Sequence, residues 1–243
     1  MALLLVSATS EELLALFPDD YKPSKELLCE YVPFPAPRGL FRHGKPVYCC
    51  LTGIGPINAA FAMGQAISLL KNDSISIDHV LITGLAGSHD LERISLRSFC
   101  VVTEEIWPEY GLHDGNVVIA QAFRWPLWQN GPNGPVFDRV PLEGLELFDL
   151  SKKQAALFTT CRALTVAGVS ASFARTNMLW DRYHADLENM EGFSVAYACQ
   201  RFALPCTEIR CVSNKTGPRK PDEKDFPGAL QKLGILLHTL NLT

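Results

Sequence analysis

Apolar residues come in short continuous runs separated by glycine, proline and small polar residues, and these runs set the expected elements. Residues 3–6 form an uninterrupted apolar run of the kind found in a strand covered on both faces. Ser10 is placed to cap the next helix, with Glu11 and Glu12 in the first turn, where negative charge opposes the helix dipole. Leu13, Leu14, Leu16 and Phe17 give that helix its apolar side. Pro23 and residues 35–39 mark loops, with a strand expected over 29–34. Residues 47–51 predict a strand, 53–56 a turn, and 57–70 a helix with small residues along one side. Two further strands are expected at 78–83, followed by Gly84-Leu85-Ala86-Gly87, and at 99–103, ending at Glu104 and Glu105. The order β, α, β, β, α, β, β, with glycine turns after strands, predicts an α/β protein with a largely parallel or mixed sheet.

Residues 106–145 break this rhythm. Trp107, Pro108, Trp125, Pro126, Trp128, Pro132, Gly134, Pro135 and Pro141 leave no sustained period, which predicts a long irregular excursion, either a functional lid or an ordered loop pinned by aromatics. Beyond it, 152–158 predicts a short helix and 163–169 a strand, while 176–184 is amphipathic and of open type. Glu188-Asn189-Met190-Glu191-Gly192 opens an apolar helix over 193–203, and a strand runs from near Cys206 to Val212. A charged, proline-bearing loop expected to be mobile spans 215–225, and 226–240 has helical spacing. With no repeat or linker in 243 residues, a single domain is expected.

Composition narrows the partners. The chain is 47% hydrophobic and 20% charged, with 22 basic against 26 acidic residues and a net charge of −4, so there is no electrostatic case for nucleic acid or anionic lipid. The eight cysteines include no CxxC pair and mostly sit in apolar runs, which points to reduced, buried thiols in a reducing cytoplasm rather than to zinc. The N-terminal apolar run lacks a preceding basic stretch and is interrupted at Ser7, which favours a buried strand over a signal peptide. No run of about 18 apolar residues predicts a membrane span.

Several residues carry candidate chemistry. Gly53-Ile54-Gly55 follows a strand and precedes a helix, but the third glycine of a dinucleotide fingerprint is absent, since position 58 is Asn. A tight turn whose N–H groups approach a sugar or an anion is favoured over NAD binding. Glu12 lies just past the first strand, and Gly84, Phe173 and Asn214 each follow a strand run; ligands of open α/β sheets gather beyond the carboxyl ends of strands. Glu191, between Met190 and Gly192 at the start of a buried helix, needs partners. Two ribose hydroxyls would serve, and a salt bridge to Arg210 is the competing explanation. Asn214 could equally end a strand, and Phe173 could equally be core. His89, His113 and His184 have no ligand spacing and read as surface or loop residues.

Taken in order, the stretches 7–13, 52–60, 83–87, 169–173, 189–192 and 210–214 resemble the purine nucleosidase branch of the nucleoside phosphorylase superfamily. Within that branch the chain is most similar to the futalosine hydrolase family, which serves an alternative menaquinone route and is related to the methylthioadenosine/S-adenosylhomocysteine nucleosidases. The resemblance implies a three-layer αβα sandwich around a mixed, partly closed sheet, in a cytoplasmic homodimer. It implies no metal and no cofactor, with a purine nucleoside and water as partners. It makes Glu12 the carboxylate that activates water and Glu191 the one that binds the ribose 2′ and 3′ hydroxyls, with Met190 against the sugar and Phe173 stacked on the purine. Asn214 stands where adenosine-type nucleosidases carry aspartate, steadied by Ser213 and Arg210. Gly84 lies in a matching stretch, and Ile54, Trp107 and Phe226 are expected to line the 5′ end. An Asn amide can donate to N7 and O6 of a 6-oxopurine, so hypoxanthine is the expected base. Leu85 and Thr9 replace a serine and a methionine of the methylthioadenosine enzymes, which points to a different 5′ substituent. An adenine-releasing nucleosidase, a phosphorylase using Arg93 and Arg97, and a non-catalytic nucleoside binder are the alternatives.

Overall fold

The computed structural model describes residues 1–17, 30–36, 41–42, 44–115, 117–218 and 220–242. The loops expected at Pro23 and 37–39, and Cys29, lie outside the described residues. The chain runs β1 (Ala2–Ser7), α1 (Ser10–Ala15), β2 (Phe34–Pro35), β3 (Phe41–Arg42), β4 (Lys45–Leu51), α2 (Pro56–Asn72), β5 (Ile77–Ser88) and β6 (Phe99–Ile106). Short elements follow: β7 (Leu112–His113), β8 (Val118–Ile119), α3 (Ala120–Phe123), β9 (Trp128–Gly131), β10 (Gly134–Val136) and β11 (Arg139–Pro141). The last part comprises α4 (Lys152–Ala155), β12 (Phe158–Thr165), α5 (Phe173–Tyr183), β13 (Leu187–Asn189), α6 (Gly192–Arg201), β14 (Cys206–Lys215), a 3-10 turn at Pro221–Glu223, α7 (Phe226–Leu233) and α8 (Leu236–Thr239).

The central sheet is mixed and closes on itself. β6 pairs β12, β12 pairs β13, β13 pairs β5, β5 pairs β14, and β14 returns to β6. β1, β4 and β2 extend it from β5, and β11 extends it from β6. Side chains from all five closed strands meet in one apolar cluster: Ala86, Cys100, Val102, Cys161, Ala163, Leu187 and Val212. β1 shows why its apolar run is unbroken. Leu3 and Leu5 pack into the layer with α1, α7 and α8, while Leu4 and Val6 pack against α2 and α6 on the opposite face. The result is a three-layer αβα arrangement around a barrel-like mixed sheet, as the resemblance implied.

Several elements differ from the sequence pattern. The Gly84–Gly87 stretch does not turn but continues β5, which runs unbroken from Ile77 to Ser88. Thr9, not Ser10, caps α1. The expected strand at 163–169 begins earlier, at Phe158, and ends at Thr165. The ambiguous 176–184 segment is helix α5. The C-terminal helix is divided into α7 and α8 around Gly234. The excursion 106–145 is built of short hairpins, and β11 within it joins the main sheet beside β6. His89 is not a surface residue: it is buried against Trp180, and burial pushes its pKa down to about 4. The described cysteines are buried free thiols. Among the described residues no helix is long and apolar enough to cross a membrane, and no cluster of His, Cys, Asp or Glu is arranged to hold a metal ion.

Leu187 is fully buried inside the closed sheet although its strand is three residues long. Leu187→Ala is expected to cost about 2–5 kcal/mol in urea unfolding. The exposed Leu157→Ala should stay within about 0.5 kcal/mol of the parent.

Candidate active site

A cavity of about 360 Å³ opens at the carboxyl ends of β1, β5 and β14. Thr9 and Glu12 of the β1–α1 segment line one side, with Ile54 from the turn before α2. Leu85 to Gly87 of β5 form the floor, Glu188 to Glu191 the opposite wall, and Ser213, Asn214 and Phe226 complete the rim. A groove of about 450 Å³ shares Ala8, Thr9, Glu11 and Ile54 with it and continues past Ser10 and Glu30.

Glu12 is fixed by the geometry of a helix start. The Thr9 hydroxyl accepts from the Glu12 N–H at 3.2 Å, and Glu12 Oε2 accepts from both the Thr9 N–H and hydroxyl at 3.0 Å, a reciprocal capping box. Glu12 Oε1 accepts from the Leu85 N–H at 2.8 Å, which ties the helix start to β5. Gly84 makes this possible: a Cβ there would lie 2.7 Å from Glu12 Oε1 and 2.8 Å from Arg210 Nη1. Gly84 does not line the cavity itself but leaves the space in which Glu12 and Arg210 sit.

Glu191 is the N-cap residue of α6. Its Oε1 accepts from the Gly55 N–H at 2.9 Å, so the anion approached by the Gly53-Ile54-Gly55 turn is a side chain of the protein itself. Burial raises the Glu191 pKa, opposed by Arg210 and by the Gly55 hydrogen bond. The competing salt bridge is long, 3.9 Å from Arg210 Nη1 to Glu191 Oε2. The close partner of Arg210 is Glu208, whose Oε1 accepts from Arg210 Nε at 2.7 Å. Burial alone would lower the Arg210 pKa; the carboxylates of Glu208, Glu191 and Glu12 overcome that and hold it above its ordinary value. Arg210 therefore lies on the Glu12–Glu191 side of the site and not beside Asn214, where the resemblance had put it.

Asn214 owes its position to a β-bulge. The pairing of β14 with β5 shifts between Val212 and Asn214, leaving Ser213 as the extra residue and turning the strand end toward the cavity. The Ser213 hydroxyl donates to Asn214 Oδ1 at 2.9 Å, and Asn214 Nδ2 donates to the Lys215 carbonyl at 2.8 Å. This orients the amide with one Nδ2 hydrogen unused. A second bulge acts on β6: Val102 pairs with Cys161 but Glu104 with Arg162, so Thr103 is extra. The parity flip puts Glu105 on the face of Ala163, inside the closed sheet.

The structure thus brings Glu12, Ile54, Met190, Glu191, Ser213, Asn214 and Phe226 to one cavity. Phe173 is not among its lining residues; it is the first residue of α5, half exposed, with the Lys220 ammonium 5.9 Å from its ring centre. Trp107 does not line it either and packs between Tyr110 and Phe193. Ser170 and Glu188 are among the lining residues that had no assigned role in the sequence. Ser170 donates through its N–H and hydroxyl to Glu188 at 2.8 and 2.6 Å, and burial raises the Glu188 pKa against those bonds. The signal was present in the sequence as an unexplained carboxylate between Leu187 and Met190.

The chain belongs to the phosphorylase superfamily, whose family model matches residues 3–238. In sequence it is similar to the futalosine hydrolase of Thermus thermophilus, with 31% identity over 168 residues, 69% of each chain. In fold it is similar to the 5′-methylthioadenosine/S-adenosylhomocysteine nucleosidase of Helicobacter pylori, with a TM-score of 0.69 and 21% identity over 99% of this chain and 98% of that one. A mutant futalosine hydrolase of the same species superposes with a TM-score of 0.66 and 19% identity over 99% and 98% of the two chains.

Removing the guanidinium while keeping its bulk isolates its electrostatic role. Arg210→Met is expected to destabilise the protein by about 3–5 kcal/mol near neutral pH, because buried carboxylates lose their counter-charge. In that variant the Glu105 and Glu191 carboxyls, already raised, shift further up. A raised carboxyl favours folding most below its unfolded value, and that contribution is lost as pH rises through its folded value. Urea unfolding should therefore show the deficit shrinking as pH falls toward 5.

Proposed function

We propose that this chain hydrolyses the N-ribosyl bond of a 6-oxopurine nucleoside, with futalosine as substrate and hypoxanthine as the released base. The observation that carries the reading is the convergence of Glu12, Glu191 and Asn214 on one cavity of nucleoside size. The 31% identity to a curated futalosine hydrolase supports it independently.

In this reading the glycosidic bond stretches first, leaving positive charge at C1′ and negative charge on the base. Asn214 donates its unused Nδ2 hydrogen to the base where that charge develops, a contribution made mainly in the transition state. An amide cannot deliver a full proton, so the leaving group departs with hydrogen-bond assistance only. Glu12, its lone pairs partly occupied by Thr9 and Leu85, takes a proton from the water that approaches C1′. Glu191 accepts from the ribose 2′ and 3′ hydroxyls and fixes the sugar. Met190 packs on the sugar, and Ile54 and Phe226 line the 5′ side. Phe173 is half exposed and outside the lining residues, so its stacking on the base rests on the resemblance alone. A homodimer fits the exposed Ile57 and Phe61 of α2, next to the cavity residue Ile54, and a reducing cytoplasm fits the buried free thiols.

A phosphorylase would need an anion grip. Arg93 pairs with Asp186 and Arg97 with Asp225, and neither lines the cavity, which favours hydrolysis.

The deciding experiment is incubation of the pure protein with futalosine, inosine and methylthioadenosine in phosphate-free buffer, with chromatography of the bases. Hypoxanthine from futalosine is expected; adenine from methylthioadenosine, with futalosine untouched, would replace this reading by the adenine-releasing one. Glu12→Gln should lower turnover by about 10²–10⁴-fold while calorimetric affinity for the nucleoside holds. Asn214→Asp should move preference toward adenine nucleosides, because a carboxylate facing O6 is an unpaired, repulsive contact; an unchanged base preference would remove Asn214 from specificity.

A further inference from the structure

A carboxyl outside the cavity is connected through Asn189 to the backbone of one inside it. Glu105 is fully buried and does not line the cavity. Its Oε1 accepts from Asn189 Nδ2 at 2.5 Å, and its Oε2 accepts from the Thr165 hydroxyl at 2.8 Å. The Asn189 amide, with its nitrogen turned to Glu105, presents Oδ1 to the N–H groups of Glu191 at 3.0 Å and Gly192 at 2.8 Å. Thr165 Oγ accepts from the Phe193 N–H at 2.7 Å. Helix α6 has no cap from its own N-cap side chain, so its first N–H groups are satisfied by Asn189, two residues before the N-cap, and by Thr165 of β12, both hydrogen-bonded to Glu105.

Charge around Glu105 is unbalanced. Glu208 and Arg210 face it from β14, and Glu191 and Glu12 lie beyond Arg210, so one guanidinium serves four carboxyls. A Cβ on Gly192 would collide with Glu105 Oε1 and lie 2.6 Å from Glu208 Oε1, so both carboxyls press on the backbone at the start of α6. Glu208 Oε2 is buried without a hydrogen-bond partner. Two buried carboxyls that interact in one dry site do not both ionise, and one of them keeps a proton. Burial and the Glu208 charge both raise the Glu105 pKa well above its ordinary value, against Arg210, Thr165 and Asn189.

We propose that Glu105 is a positioning residue: it carries the proton of the Glu105–Glu208 pair and, through Asn189 and Thr165, holds the helix start that sets Glu191 for its substrate. The acid proton sits on Oε2 and is donated to Thr165 Oγ, whose own hydroxyl turns to Asn189 Oδ1 at 3.1 Å; the neutral acid leaves the charge of Arg210 to Glu208, Glu191 and Glu12. The kinetic part rests on the reading of Glu191 as the ribose-binding carboxylate; the protonation part does not.

The test combines infrared spectroscopy of the ligand-free protein at neutral pH with kinetics on the nucleoside that the parent turns over. A protonated-carboxyl C=O band is expected in the parent and absent in Glu105→Gln. Glu105→Gln, a neutral isostere, should keep KM within about threefold, since its oxygen can face Asn189 and its nitrogen can donate to Thr165 Oγ, whose hydroxyl then donates to Asn189 Oδ1. Glu105→Ala and Thr165→Val should raise KM at least about tenfold with a smaller change in kcat, and Thr165→Ser should restore it. If Glu105→Ala does not fold, the Thr165 pair decides the positioning role. Absence of a band lost in Glu105→Gln, or a parental KM in Thr165→Val, overturns the proposal. A parent that cleaves no nucleoside instead sinks the functional reading, and the infrared band still decides the state of Glu105.

Discussion

A single buried guanidinium holds the acidic centre of this protein together. Among the described residues Arg210 is the one Lys or Arg that is fully buried, and Glu208, Glu191 and Glu12 all act on it. Desolvating one such charge costs several kcal/mol, and the cost is offset only where partners surround it closely. Glu208 does so at 2.7 Å from the same strand. The Leu85 carbonyl, at 3.4 Å from Arg210 Nη1, adds a contact from β5. Because β14 is paired on both sides, by β5 and by β6, the guanidinium is held by a closed sheet and cannot follow a moving loop. Glu12 and Glu191 arrive from different elements and take their positions relative to this fixed charge.

That crowding has a steric counterpart. The closed sheet brings carboxyl groups to within contact of the backbone, and the backbone accommodates them by lacking side chains at two places. Gly84 leaves room for Glu12 and Arg210, and Gly192 for Glu105 and Glu208. Neither glycine is needed for an unusual backbone conformation; each is needed for close approach. The two bulges complete the arrangement. Without the extra residue at Thr103, Glu105 would face away from the barrel, and without that at Ser213, the end of β14 would present a different residue to the cavity.

The outline of the fold was legible because its strands are buried on both faces and read as unbroken apolar runs. Glu12 was legible for a local reason: a first-turn acid after a buried strand has few other places to be. Asn214 and Glu191 gained meaning only as members of an ordered set of stretches. The region 84–87 misled, because two glycines beside a strand resemble a turn when nothing in the sequence reports the pairing partners that keep it extended. Phe173 was read by family position, and its half-exposed place at the start of α5 reflects packing that no linear pattern records. Arg210 was placed beside Asn214 by the resemblance, but residues four apart on a strand and separated by a bulge serve different ends of one site.

The sequence alone determined the α/β layering and the buried first strand with its capped acidic helix start, since these follow from local periodicity and residue chemistry. Only the tertiary structure decided which carboxylate meets which partner: that Gly55 serves Glu191, that Arg210 is held by Glu208, and that Glu105 is turned inward. Those choices depend on strand register and barrel closure, which bring together residues as far apart in sequence as Gly55 and Glu191. No local pattern encodes a register shift of one residue, yet that shift decides whether a charge meets water or the interior.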